Sequence, residues 1–152
     1  MEQYNFQYCQ KIVVLSSDQT KVLLCKRKGE ADYDGIFSFI GGKMETTDEN
    51  IIEGLQREKN EEVGENFKIK IYPKFSYNLL FRKKAGNSMI LPHYLAIHLE
   101  GEVILNEEYS EYQWVSIKNL SEFEPKISSI LDTVKEVLRL QDLSKEEEYI
   151  VI

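Results

Sequence analysis

The sequence is poor in cysteine, histidine and positive charge, and it has no long apolar run. No segment approaches the roughly 20 consecutive apolar residues that a membrane-spanning helix needs. Cys9 and Cys25 are the two cysteines in 152 residues. They lie in apolar, strand-like segments without metal-ligand spacing, which reads as buried reduced thiols rather than a disulfide or metal centre. The two histidines, His93 and His98, read as structural or surface residues. Nineteen basic residues face 26 acidic ones, for a net charge of −7, which disfavours a protein that grips a nucleic-acid backbone. A small anionic substrate is not excluded, because a few local cations and metal ions can hold a polyphosphate whatever the overall charge. Residues 1–5 carry neither the basic region nor the apolar core of a signal peptide, so a cytoplasmic location is the default expectation. There are no internal repeats, no low-complexity linker and no change of composition along the chain. One domain over residues 1–152 is expected, large enough for a real core.

What is present is 42% hydrophobic and 30% charged, ordinary for a globular chain. Residues 7–16 end in a β-branched apolar run and read as a strand, with 21–27 as its hairpin partner after a Ser-Asp-Gln-Thr turn. Residues 36–40 form a short strand running into Gly41-Gly42. A helix follows to about Val63, capped by Thr46 or Thr47, with Ile51, Ile52, Leu55 and Val63 as its apolar stripe. Lys59 interrupts that stripe; its stem can cover apolar surface while its ammonium reaches water. Alternation predicts strands at 67–71 and 75–82 and a long strand at 89–100, where Pro92 suggests an edge or a bulge. Residues 106–112 read as an acidic loop, 113–116 as a short strand and 126–140 as a second helix. The last dozen residues are acidic and then apolar, a tail either loose or docked. The sum is a mixed sheet with one helix inserted early and one at the end, expected as an α/β/α sandwich.

One stretch runs against local physics. Glu58 and Glu62 are four residues apart on one helix face, where like charges cost roughly 0.2–0.5 kcal/mol. Glu61 and Glu62 also lie just before Gly64, the expected helix stop, where negative charge opposes the macrodipole by about 0.3–1 kcal/mol. At 3.6 residues per turn Glu58 is about 40° from Glu62 and about 60° from Glu61 around the axis. Mg²⁺ takes oxygen ligands, commonly a few carboxylates with water and substrate phosphates. A divalent cation would offset both penalties.

Residues 41–64 resemble the signature of the Nudix hydrolases, the MutT-like family. That signature runs Gly, five residues, Glu, seven residues, Arg-Glu, an aliphatic residue, any residue, Glu-Glu, any residue, Gly, aliphatic. Gly41-Gly42-Lys43-Met44-Glu45 matches its opening, Glu49 with Arg57-Glu58 its middle, and Glu61-Glu62-Val63-Gly64 its end. Three positions depart. Gly42 to Glu49 is one residue too long, which places an insertion in the Thr46–Asp48 turn. Lys59 and Glu65 replace aliphatic residues.

The resemblance implies an active enzyme cleaving a pyrophosphate bond in a nucleoside diphosphate linked to another moiety, with Mg²⁺ or Mn²⁺. It implies Glu58, Glu61 and Glu62 as metal ligands with the Gly42 carbonyl, and Glu58 and Glu61 as catalytic carboxylates. Arg57 becomes an orienting residue, with Glu49, or Glu53 one turn before it, as its partner. The family draws its general base from the signature helix or from a later glutamate; Glu111 is the first expectation here, with Glu108 next. For substrate contacts the expectations are Arg27 on phosphate and Phe37 and Phe39 stacking on a base; Tyr77, Arg82 and His93 are weaker. A nucleoside triphosphate, oxidised purines included, is the first expected substrate, ahead of dinucleoside polyphosphates, nucleotide sugars and ADP-ribose. Long nucleic acid and membranes are not expected partners, and either a monomer or a homodimer fits. The rival reading is a non-catalytic nucleotide-binding or regulatory module on the same fold.

Overall fold

A computed structural model describes residues 6–152; residues 1–5, on which the signal-peptide expectation falls, lie outside them. The strands are β1 (Phe6–Leu15), β2 (Lys21–Arg27), β3 (Phe37–Ser38), β4 (Ile40–Lys43), β5 (Lys68–Ile71), β6 (Tyr77–Arg82), β7 (Ser88–Glu100), β8 (Tyr109–Ser116) and β9 (Ile150–Val151). Helix α1 (Ile51–Val63) follows β4, and α2 (Ile130–Gln141) follows a 3-10 turn at Ile117–Glu122. Among the described residues no helix is long and apolar enough to cross a membrane.

The strands form a mixed sheet with the order β3-β2-β1-β7-β5-β9, while β4 pairs β1, β6 pairs β7 and β8 pairs β2. Alternation along β1 and β7 divides the core between the two faces. Ile12, Val14, Tyr94 and Ala96 pack with Leu55 and Val63 of α1. Val13, Leu15, Leu95 and Ile97 pack with Ile130, Val134 and Val137 of α2. This is the expected α/β/α sandwich.

Four local expectations change. The β1–β2 hairpin pairs only at Leu15↔Val22; β1 lies parallel to β7, and β2 gives its length to β8. β8 accordingly begins at Tyr109, inside the expected acidic loop. Pro92 is on neither an edge nor a bulge but in the central strand β7, opposite Asn78 of β6. The β1–β7 register passes from Tyr8↔Ile90 to Lys11↔His93, so the residue without an N–H falls where that ladder is interrupted. Helix α1 is capped by Asn50, whose side chain accepts from the Glu53 N–H, not by Thr46 or Thr47. Finally, the tail docks: β9 pairs β5, and the Ile152 and Ile69 backbones exchange N–H···O bonds of 3.0 Å in both directions.

Lys59 also departs from expectation. Its side chain is 0% exposed, and its ammonium donates to the Gly64 carbonyl at 3.3 Å instead of reaching water. A cation at the helix C-terminus is favourable to the macrodipole, and it satisfies a carbonyl next to the helix end. Burial holds the ammonium's pKa down to about 8.

Candidate active site

Strand β4 lays Gly41 and Gly42 against β1, in the register Lys11↔Gly41 and Gln10↔Gly42. Helix α1 then returns over β4 and brings its last two turns to the same place. A Cβ on Gly42 would occupy the space of the Glu58 carboxylate. The Glu62 carboxylate accepts from the Gly41 N–H at 2.9 Å and from the Tyr109 hydroxyl at 2.7 Å. Glu62 therefore ties the end of α1 to both β4 and β8. Glu61, one turn after Arg57, is more exposed. All three carboxylates line a cleft of about 730 Å³.

Arg57 organises the group. Its Nε donates to Asp48 Oδ1 at 3.0 Å and its Nη2 to Asp48 Oδ2 at 2.8 Å, a two-pronged ion pair. Nη2 also donates to the Lys43 carbonyl at 3.1 Å. Nη1 donates to Glu58 at 2.9 Å and lies 3.5 Å from Glu45 and 3.6 Å from Glu61. The expected partners, Glu49 and Glu53, are not engaged: the Glu53 carboxylate accepts from the Glu49 N–H instead. Asp48 is separated from Gly42 by five residues, as the signature's first acid is from its glycine, so the extra residue falls after that acid and not before it. The guanidinium holds the Asp48 carboxyl down to about 2.

The structure sorts the remaining expectations. Arg27, Phe39 and His93 line the cleft. Phe37 does not; it packs edge-on against Phe123 in the α2-side core. Glu108 lines the cleft, whereas Glu111 pairs across the sheet with Lys26 at 3.5 Å and is not among the lining residues. The sequence reading missed Asp48, Tyr109 and Lys11. Lys11 places its ammonium 3.4 Å from the Gly41 carbonyl, inside the cleft. Leaving five residues between Gly42 and the first acid finds Asp48; nothing local to residues 11 or 109 marks them.

Acids outnumber cations seven to four among the lining residues, so an anionic substrate needs added positive charge there. Burial pushes Glu62 up to about 8 and raises Glu58 as well. The donor set, carboxylates beside a glycine backbone, is the hard-oxygen chemistry that suits a divalent cation. With Arg57 holding Glu58, no three His, Cys, Asp or Glu side chains among the described residues stand close enough together to form a metal site. A cation bound by Glu58 would compete with its 2.9 Å bond from Arg57.

The raised Glu62 pKa has a measurable consequence. From its ordinary 4.5 up to about 8, the native protein keeps a proton that the unfolded chain releases, so stability falls as pH rises through that window. His93, held down to about 4 against an ordinary 6.5, acts in the opposite sense below pH 6.5 only. Without divalent cations, stability in urea should fall between pH 6.5 and 8 by up to about 2 kcal/mol, at about 1.36 kcal/mol per pH unit. Glu62→Gln should abolish that fall; a flat wild-type profile would contradict the assignment.

A family model described as NUDIX domain matches residues 10–136. No curated protein sequence matches the chain. Several solved structures share its fold. The MutT protein from Methanosarcina mazei Go1 has a TM-score of 0.74 at 21% identity, over 93% of this chain and 99% of that one. A C. elegans Ap4A hydrolase binary complex has a TM-score of 0.72 at 13% identity, over 91% and 99%. The NUDIX domain of Shewanella oneidensis NrtR complexed with ADP ribose has a TM-score of 0.66 at 17% identity, over 93% and 90%. These identities speak to the fold, and the family rests on the domain match together with the glycine turn and carboxylate helix it contains: the chain belongs to the Nudix hydrolases and is a pyrophosphohydrolase.

Proposed function

We propose that the chain hydrolyses the pyrophosphate bond of a nucleoside diphosphate linked to another moiety, with a nucleoside triphosphate as the first substrate to test. The observation that carries this reading is one cleft with two kinds of lining: Glu58, Glu61 and Glu62 contribute carboxylates to it, and Phe39, Leu79, Phe81 and Leu91 contribute apolar surface. The Ap4A hydrolase and the ADP-ribose-bound NUDIX domain of similar fold fit the same substrate class. Glu58, Glu61, Glu62 and the Gly42 carbonyl would hold Mg²⁺ or Mn²⁺. Bound there, the cation supplies neutralisation of phosphate charge and a lower pKa for the attacking water. Arg57 orients Glu58, while Gly41 and Tyr109 fix Glu62. Arg27 lines the cleft, with its Nη2 3.2 Å from Glu30, and would leave that acid to meet a phosphate oxygen. Glu108 takes the general-base role that sequence reasoning gave first to Glu111, because Glu108 faces the cleft.

The test is a panel of nucleotides with Mg²⁺, reading phosphate and pyrophosphate separately. At least one should be hydrolysed, with activity lost on chelation. Glu61→Gln and Glu62→Gln should each lower kcat/KM by about 100-fold or more, and Glu108→Gln by about 100-fold, the lower end for a general base. Glu111→Gln should stay close to wild type. Activity unchanged in both Glu61→Gln and Glu62→Gln would sink the site assignment, and tight nucleotide binding without any turnover would favour the binding-module reading.

A further inference from the structure

The imidazole of His93 lines the cleft and is 4% exposed. Its Nδ1 lies 2.9 Å from the Leu91 carbonyl and 3.1 Å from the Tyr77 carbonyl. Neither carbonyl has a proton to give, so Nδ1 must carry the hydrogen and donate. Burial and the neighbouring Lys11 ammonium both oppose a positive charge on the ring. Lys11 is the residue paired with His93 across β1 and β7, and its ammonium is directed at the Gly41 carbonyl. A neutral ring with Nδ1 protonated leaves Nε2 as a bare lone pair. With Nδ1 engaged by the two carbonyls, Nε2 has no hydrogen-bond partner among the described residues, and the ring is part of the cleft's lining. The surroundings are apolar: Phe39 meets the ring edge-on at 5.7 Å, and Leu79, Leu91, Ile127 and Ile130 line the same cleft. Ser38, 2% exposed and also in the lining, keeps its hydroxyl without a partner.

We propose that His93 reads the substrate's base: Nε2 accepts a hydrogen bond from an exocyclic amino group, so the site selects amino-bearing nucleotides over those lacking the group. This rests on the nucleotide reading above and refines it. A bare imidazole nitrogen repels phosphate oxygens, so this position serves the base and not the polyphosphate. A ring N–H of a keto base is flanked by carbonyl oxygens that repel the same lone pair, whereas an amino group projects beyond the ring. A buried acceptor left unmatched is costly, and sites built around a hydrogen bond reject analogues that lack it.

The experiment compares ATP with purine riboside triphosphate, GTP with ITP, and CTP with UTP. For the preferred base, the amino-bearing member should have at least about 10-fold higher kcat/KM. The ratio should fall below about 3-fold in His93→Phe, and His93→Gln, which keeps an acceptor, should restore part of it. Non-hydrolysable α,β-methylene analogues of the same pairs, titrated by calorimetry, separate the two readings. Amino-dependent binding without turnover would overturn the hydrolase reading and leave the role of His93 standing. Turnover with no pair distinguished by more than about 3-fold in wild type would overturn the His93 assignment alone, as would a ratio that survives His93→Phe. If His93→Phe does not fold, the wild-type ratios and the His93→Gln ratios decide. No binding of any nucleotide would overturn both.

Discussion

Gly42→Ala should silence the enzyme and leave it folded, while Gly41→Ala should damage the fold itself. The two residues are neighbours in β4, but what a methyl group would meet differs. Gly41 has φ +131, and its Cβ would fall on the Gln10 carbonyl and the Lys11 backbone of β1. Both obstacles are main chain in a paired strand, so nothing can yield cheaply. A loss above about 3 kcal/mol is expected, in the range of strained backbone substitutions combined with overpacking. The Cβ of Gly42 would instead meet the end of the Glu58 side chain. That carboxylate can swing away, at the cost of its 2.9 Å bond from Arg57 and its place beside the glycine backbone. Denaturation of Gly42→Ala should be within about 1 kcal/mol of wild type, with kcat/KM down by about 100-fold or more, as expected when a charge-stabilising group is misplaced. An active Gly42→Ala would show that the position of Glu58 beside this glycine is incidental.

This contrast explains what the sequence can and cannot disclose. The carboxylates of α1 were legible because one helix supplies all three, and helical spacing turns sequence distance into angle. The same holds for the alternating strands and the Gly64 stop. What failed was whatever depended on a partner distant in the chain. The β1–β2 hairpin forms, at Leu15↔Val22, but adjacency does not show that β1 runs along β7 and β2 along β8. Pro92 suggested an edge because an isolated strand shows no ladder, and so no gap in one to accommodate it. Tyr109 contacts Glu62 from a strand that looked like a loop. The positions of Glu111 and Glu108 also depend on the pairing of β8 with β2. The β2–β8 register runs Lys26↔Glu111 and then Arg27↔Tyr109, so a bulge absorbs Ser110 and breaks the simple alternation of faces. Glu111 consequently faces Lys26, and Tyr109 turns into the core. Lys59 was misjudged because a buried lysine becomes reasonable only when the carbonyl it meets is in view.

The acid that orients Arg57 gives the second large expectation: Asp48→Ala should lower kcat/KM by about 10-fold to 100-fold, the scale of losing a positioning contact, while Glu49→Ala should leave it within about 2-fold. Glu49 fits the signature only if the turn before it carries an extra residue. In the structure that turn has ordinary length, five residues separate Gly42 from Asp48, and both oxygens of Asp48 are bound by the guanidinium. Asp48 Oδ2 also accepts from the Glu45 N–H at 2.8 Å, so one carboxylate fixes the turn before α1 and the arginine within it. Its removal frees Arg57 to move fully onto Glu58 and Glu61, the carboxylates proposed to hold the cation, which would then meet stronger competition from the arginine. Asp48→Ala should therefore raise the Mg²⁺ concentration needed for half-maximal activity, a shift that simple loss of stability would not produce. The acid limb provides an independent readout. The Asp48 carboxyl is held at about 2 against an ordinary 3.8, so its contribution to stability is complete above pH 3.8 and is lost as pH falls towards 2. Asp48→Asn should flatten that part of the profile, and Glu49→Gln should not. Equal damage from Asp48→Ala and Glu49→Ala in kinetics and in Mg²⁺ dependence would return the orienting role to Glu49.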